Sequence, residues 1–365
     1  MTRKLDRYFL ITVLILVFVG FFIFTSASLG LHARTGGAKF GAVAFNQIFF
    51  GLFLGFIGMY IASRIDYKIW KRYSFYIFLF SILMTLLVFI PKLGFSSGGA
   101  TRWLALGPLS FQPAELLKLG FVIYFSAWIS GMQTKIKQFK FGLFPLMVLF
   151  VIIGAILLAQ PDTGTFLVIL ATGVVMFISA GGSLKHVFMI SIIGIIVLLA
   201  IGFSRPYVLD RITTFINPGA DRQGSGYQLD QSLIAIGSGG VFGKGFGQSV
   251  QKFDYLPEPI GDSIFAVAAE EWGFLGAITI LFLFVIFALR GFKISSNSQD
   301  IFGSILVIGI ISLIFIQSFI NIASMLGLFP LTGMPLIFIS HGGTALFFAL
   351  VEVGIILSVS RQARI

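Results

Sequence analysis

The acidic residue best placed for chemistry closes a proline-rich turn, Tyr255-Leu256-Pro257-Glu258-Pro259-Ile260-Gly261-Asp262. Two prolines and a glycine keep a helix from starting earlier, so the Asp262 carboxylate is expected at or near the N-cap of the apolar helix that follows. The helix dipole and free amides there would hold its pKa low. A carboxylate in that position accepts a proton from a hydroxyl, holds a cation, or only caps its helix. Upstream, Gln112-Pro113-Ala114-Glu115-Leu116-Leu117-Lys118 sets Glu115 and Lys118 three apart on one helix face. Such a pair either serves a site or locks two helices together. Arg102, beside the interfacial anchor Trp103, could meet an anionic headgroup.

The glycine segment 237–245 carries Lys244. It is no Walker A loop, because Ser238 takes the place of the first glycine and Gly245 follows the lysine where Ser or Thr is required. Its amides could form an anion-binding concavity beside Lys244, or the segment is a plain turn. Between Thr332 and Thr344, Pro335 and the pair Gly342-Gly343 interrupt the backbone around Ser340 and His341, and such breaks are tolerated at membrane depth only where they line protein or a cavity. Glu270, Glu271 and Glu352 are further polar groups in apolar runs. His32, His186 and His341 show no metal-ligand spacing, and with no cysteine there is no thiolate, disulfide or Cys-ligated metal.

The elements that must position these groups are membrane helices. The chain is 57% hydrophobic and 11% charged, with a mean hydropathy of +1.01. Apolar stretches of about 20 residues, enough to cross the hydrocarbon, run near 8–29, 41–63, 75–91, 112–131, 141–159, 163–180, 186–203, 263–290, 301–323 and 341–360. The expected fold is therefore all-α and polytopic, with about ten transmembrane helices in one membrane domain (1–365) and a long loop, 204–262, between the seventh and eighth. Loops on the side of the termini hold fifteen Lys and Arg: Arg3, Lys4, Arg7, Arg64, Lys68, Lys71, Arg72, Lys135, Lys137, Lys140, Lys185, Arg290, Lys293, Arg361 and Arg364. The opposite short loops hold only Arg34, Lys39, Lys92 and Arg102, and the long loop adds Arg205, Arg211, Arg222, Lys244 and Lys252. The excess places both termini in the cytoplasm and the long loop outside. The net charge of +11 is thus mostly a topology signal, and nucleic acid is not expected as a partner.

Across nearly the whole chain the sequence resembles the SEDS family of bacterial membrane proteins, most like its FtsW and SpoVE branch. The resemblance rests on the order and spacing of Asp6-Arg7-Tyr8, Ser26-Ala27-Ser28, Ala62 through Tyr67, Arg102 through Lys118, Gly224 through Gly247, Leu256-Pro257-Glu258 with Asp262, and Ser340 through Thr344. It implies a peptidoglycan glycosyltransferase of the bacterial cytoplasmic membrane that polymerises lipid II at the outer face and releases undecaprenyl pyrophosphate. Asp262 would be the general base on the acceptor 4-hydroxyl. Arg102, Lys118 and Lys244 would counter pyrophosphate charge, Glu115 would set Lys118 in place, and Glu258 and Ser340 would line the substrate. A class B penicillin-binding protein is the implied partner, within the division or elongation machinery, and a divalent cation (Mg or Mn) the implied optional cofactor. The chain departs from the family pattern at Pro259-Ile260-Gly261, at Ile337 and at His341, which puts in doubt any role for the usual neighbouring His and Tyr. A lipid flippase would use the same interior charges, and a non-catalytic scaffold would leave Asp262 unexplained.

Overall fold

The computed structural model describes residues 5–363 apart from 36, 98–99, 107–108, 205, 218 and 220–223. Of the charges used for orientation, Arg3, Lys4, Arg205, Arg222 and Arg364 lie outside the described residues. Helix α1 (Arg7–Thr35) is followed by α2 (Gly37–Phe45), which runs through a wider π-helical stretch, Asn46–Leu54, into α3 (Gly55–Arg64). Next come α4 (Tyr67–Arg72) and α5 (Ser74–Leu86). After a small sheet, α6 (Pro113–Gly131), α7 (Phe144–Ala159), α8 (Thr163–Ser179) and α9 (Leu184–Ser204) follow.

Among the described residues, seven helices are long and apolar enough to cross a membrane: Arg7–Ala33, Phe40–Arg64, Pro113–Gly131, Phe139–Ala159, Ile264–Ser296, Ile301–Met325 and Gly343–Gln362. Three shorter apolar helices, Ser74–Phe89, Thr163–Ser179 and Leu184–Gly194, lie where the remaining apolar stretches occur. The expected helical membrane fold holds, and a small sheet is added to it. Strands β1 (Gly94–Ser97), β2 (Ala100–Leu106) and β3 (Leu109–Phe111) form an antiparallel sheet in the order β1-β2-β3, with Leu104 opposite both Gly94 and Phe111. Strand β2 carries Arg102.

The described part of the connection 204–262 contains three helices, α10 (Pro206–Ile216), α11 (Ser225–Ser238) and α12 (Gln251–Asp254). It leads to α13 (Ile264–Ser296), α14 (Ile301–Met325) and α15 (Gly343–Gln362). Helices α14 and α15 are the most enclosed of these seven spans. Helix α15 packs on α3, and α14 packs on α6, α8 and α13.

Helix α13 is interrupted at Gly273, where φ is 67° and ψ is −165°, a backbone region open essentially to glycine alone. Here the segment 239–245 lies against it. Phe274 and Leu275 amides donate to the Gly240 and Val241 carbonyls, and Lys244 and Gly245 amides donate to the Glu270 and Glu271 carbonyls. A side chain at Gly273 would strike the Gly243 nitrogen. The substitution Gly273→Ala is expected to cost at least about 1–2 kcal/mol from the left-handed φ alone, with more from the overlap. A lowered Tm together with faster proteolysis within 239–252 would record it.

Candidate active site

The turn that carries Asp262 is built on its own carbonyls. The Glu258 carbonyl accepts from the amides of Gly261 at 2.9 Å and Ser263 at 3.3 Å, and Glu258 adopts a φ of 44°, uncommon for a non-glycine residue. The next carbonyls are tied to the irregular segment between α14 and α15 or to α14 itself. His341 N donates to the Ile260 carbonyl at 2.7 Å, Ser340 Oγ to the Gly261 carbonyl at 2.7 Å, and Asn321 Nδ2 to the Asp262 carbonyl at 2.8 Å. Three successive peptide units are thereby fixed, and the carboxylate is presented from a rigid base.

Desolvation pushes the Asp262 carboxyl up to about 6. A hydrogen bond from Gln228 of α11 opposes the rise, the neighbouring Glu258 charge adds to it, and Arg211 of α10 again opposes it. This corrects the expectation of a low pKa at a helix end. The N-cap position belongs to Ser263, no side chain makes a capping bond there, and desolvation outweighs the N-terminal field. Arg211 donates to the Thr332 carbonyl at 3.0 Å. A Cβ on Gly333 would lie 3.7 Å from an Arg211 amino nitrogen and 3.9 Å from Asp262 Oδ2, so cation and carboxylate face one small gap. His341 is half-buried, and desolvation lowers its pKa to about 4, so its ring is neutral at ordinary pH.

The other candidate residues fall into three places. Glu258 is exposed beside Asp262, whereas Ser340 is buried and uses its hydroxyl on the turn and on the Leu336 amide. Arg102 donates to the Gln160 and Pro161 carbonyls and stands 3.8 Å from Asp162, which caps α8 at the Thr165 amide. The 160–165 turn meets the 332–334 segment through Gly164, whose Cβ position is 3.0 Å from Met334 Cγ. Lys118 and Glu115 form the expected pair at 2.8 Å, both buried, and Lys118 also donates to Gln317 Oε1 at 2.6 Å. Lys244 belongs elsewhere. Its ammonium lies 2.6 Å from Glu270 Oε1, so it pins its glycine segment to α13 instead of standing free as a point charge.

A neighbouring cluster completes that attachment. Lys252 Nζ contacts Glu271 Oε1 at 2.7 Å, Ser26 Oγ at 3.0 Å and the Gly247 carbonyl at 2.9 Å, while Ser249 donates to Glu270. Among the described residues no group of three or more His, Cys, Asp or Glu is gathered to hold a metal ion. Among the described residues, Asp262 and Glu258 offer two carboxylates with no third carboxylate, histidine or cysteine gathered beside them.

Sequence reasoning passed over Arg211, Gln228 and Asn321. Arg211 and Gln228 look like ordinary polar positions of a long loop. Asn321 carried a usable signal: with Gln317 it makes an i, i+4 pair of amides inside an apolar span, where buried polar groups need partners.

A family model described as "Cell cycle protein", covering FtsW, RodA and SpoVE, matches residues 6–365. The chain is 38% identical to Stage V sporulation protein E of Bacillus subtilis over 359 residues, 98% of each chain. It is also 38% identical to the probable peptidoglycan glycosyltransferase FtsW of Coxiella burnetii over 362 residues, 98% of this chain and 96% of that one. The fold matches the rod shape determining protein RodA of Thermus thermophilus with a TM-score of 0.66 at 24% identity, over 96% of this chain and 97% of that one. It matches a chain of a peptidoglycan synthase complex with a TM-score of 0.80 at 23% identity, over 99% of both. With the apolar helices described above, these matches place the chain among multi-pass membrane proteins, as a member of the FtsW/RodA/SpoVE family of cell cycle proteins.

Proposed function

We propose that this protein is a peptidoglycan glycosyltransferase that polymerises lipid II at the outer face of the bacterial cytoplasmic membrane, both termini lying in the cytoplasm. The observation that carries the reading is Asp262: a carboxylate with a pKa of about 6, fixed through the carbonyls of its own turn and facing an arginine across a small gap. A general base works best when its pKa lies near the operating pH. Asp262 accepts the proton of the acceptor 4-hydroxyl as that oxygen bonds to C1 of the donor sugar. The C1–phosphate oxygen bond breaks with inversion, and undecaprenyl pyrophosphate leaves with the electron pair. Arg211, across the gap from Asp262, supplies positive charge to the leaving pyrophosphate, with Arg102 on the 160–165 turn as a second cation, while Lys118 is held by Glu115 and Lys244 by Glu270. A class B penicillin-binding protein is the partner this reading calls for.

The test uses purified protein and lipid II, alone and with the cognate class B partner, followed for glycan polymer. Polymer formation supports the reading. Absence of polymer with a verified partner, alongside lipid II translocation in vesicles, would replace it with a flippase, which the buried Glu115–Lys118 pair and the broken 332–341 segment would also suit.

The pH dependence has a defined sign. The base is competent only when ionised, so kcat/KM should be level above about pH 7 and fall about tenfold per unit below about pH 5. A profile flat from about pH 5 to 7.5 would remove Asp262 from proton transfer.

A further inference from the structure

We infer that Gln317 and Asn321 are positioning residues, a two-amide ladder on α14 that joins the buried Glu115–Lys118 pair to the peptide of Asp262. The inference rests on the glycosyltransferase reading above and extends it to residues outside the reacting groups. The two side chains stand four apart, hence on one helix face, and both are buried. Gln317 Oε1 accepts from Lys118 Nζ at 2.6 Å, and its Nε2 donates to the Pro335 carbonyl at 3.1 Å. Asn321 spends its amide protons on the adjacent Met334 carbonyl and on the Asp262 carbonyl, both at 2.8 Å. The path from ion pair to Asp262 therefore runs through two consecutive peptide units of the segment between α14 and α15.

The chemistry of the connection favours transmission over simple packing. A charged donor on Gln317 Oε1 polarises the amide and strengthens its N–H bond to Pro335. The Met334 and Pro335 carbonyls sit in a stretch without regular backbone pairing, where a buried carbonyl needs a side-chain donor. Ser340 and His341 hold the preceding two carbonyls of the turn from the far end of the same segment. Asn321 holds the carbonyl of Asp262 itself. Loosening this contact lets the carboxylate drift from the acceptor hydroxyl without removing any group that binds lipid II, so the cost falls on kcat.

The experiment compares wild type with Asn321→Leu, Gln317→Glu, their double variant and Asp262→Asn. All are assayed for lipid II polymerisation with the class B partner, in protein matched for Tm and monodispersity. Gln317→Glu keeps an acceptor for Lys118, removes the donor to Pro335 and sets a negative charge against that carbonyl, so it breaks this rung of the ladder while leaving the lysine paired. Asn321→Leu is expected to lose about 10- to 100-fold in kcat, the scale of a misplacement of about 1 Å, with KM changed by less than about twofold. Gln317→Glu should lose less, and the double variant no more than Asn321→Leu alone, because both act through one segment. Wild-type kcat in folded Asn321→Leu and Gln317→Glu, a loss confined to KM, or losses that multiply would each overturn the ladder. If Asn321→Leu does not fold, wild-type kcat in Gln317→Glu is enough to overturn it, and a loss of kcat there supports it. Full activity of Asp262→Asn rejects the general-base reading instead, so the two failures are distinguished.

Discussion

Asp262→Asn is expected to lower kcat for lipid II polymerisation by roughly 10²- to 10⁴-fold, the usual contribution of a positioned general base, with little change in KM. Asparagine preserves the shape of the side chain and leaves the turn intact, because the turn's hydrogen bonds run through the carbonyls of residues 258 and 260 to 262. The Gln228 amide can still donate to the remaining oxygen. What is lost is the proton acceptor, so the acidic fall-off in rate should vanish along with the activity. The measurement is glycan polymer against time at saturating lipid II, with Tm as the control. A variant that polymerises at the wild-type rate would show that the proton leaves by another route.

The second large effect concerns stability. Lys252→Met should destabilise the protein by about 3–5 kcal/mol, the range found when one partner of a buried ion pair is removed. Lys252 and Glu271 are both almost completely inaccessible, and without the ammonium the Glu271 charge keeps only Ser26 Oγ and the Ser249 amide. Combining Lys252→Met with Glu271→Leu should recover much of the loss, since two apolar groups of similar volume leave no stranded charge. Thermal unfolding in detergent provides the comparison. If Lys252→Met and the double variant unfold together at the wild-type temperature, the pair contributes nothing.

The apolar helices were legible in the sequence because lipid imposes a simple rule, about 20 apolar residues per crossing, and among the described residues the ten expected stretches fall on seven helices long enough to cross and three shorter ones. Glu115 and Lys118 were legible because helix geometry places residues three apart side by side. The small sheet was not, since its strands are three to seven residues long and lack a sustained alternation. The low pKa expected for Asp262 failed for a related reason. A helix end is visible in a sequence, but the desolvation imposed by α10, α11 and the 332–341 segment arises only on folding. Ser26 is a further case. In sequence Ser26 belongs only to a Ser-Ala-Ser triplet near the end of the first apolar run, and in three dimensions it is a hydrogen-bond partner of both Glu271 and Lys252.

The interruption at Gly273 gives α13 the mechanics of two rods joined end to end. The upper rod, Ile264 to Trp272, begins two residues after Asp262 and is fastened by its glutamates to the segment 239–252, while the lower rod runs on to Ser296 with much of its apolar surface exposed on the outside of the bundle. The segment 239–245 splints this joint, because it is hydrogen-bonded to Glu270 and Glu271 on one side of the glycine and to Phe274 and Leu275 on the other, so the two rods are held at one fixed angle and the turn of Asp262 inherits that setting.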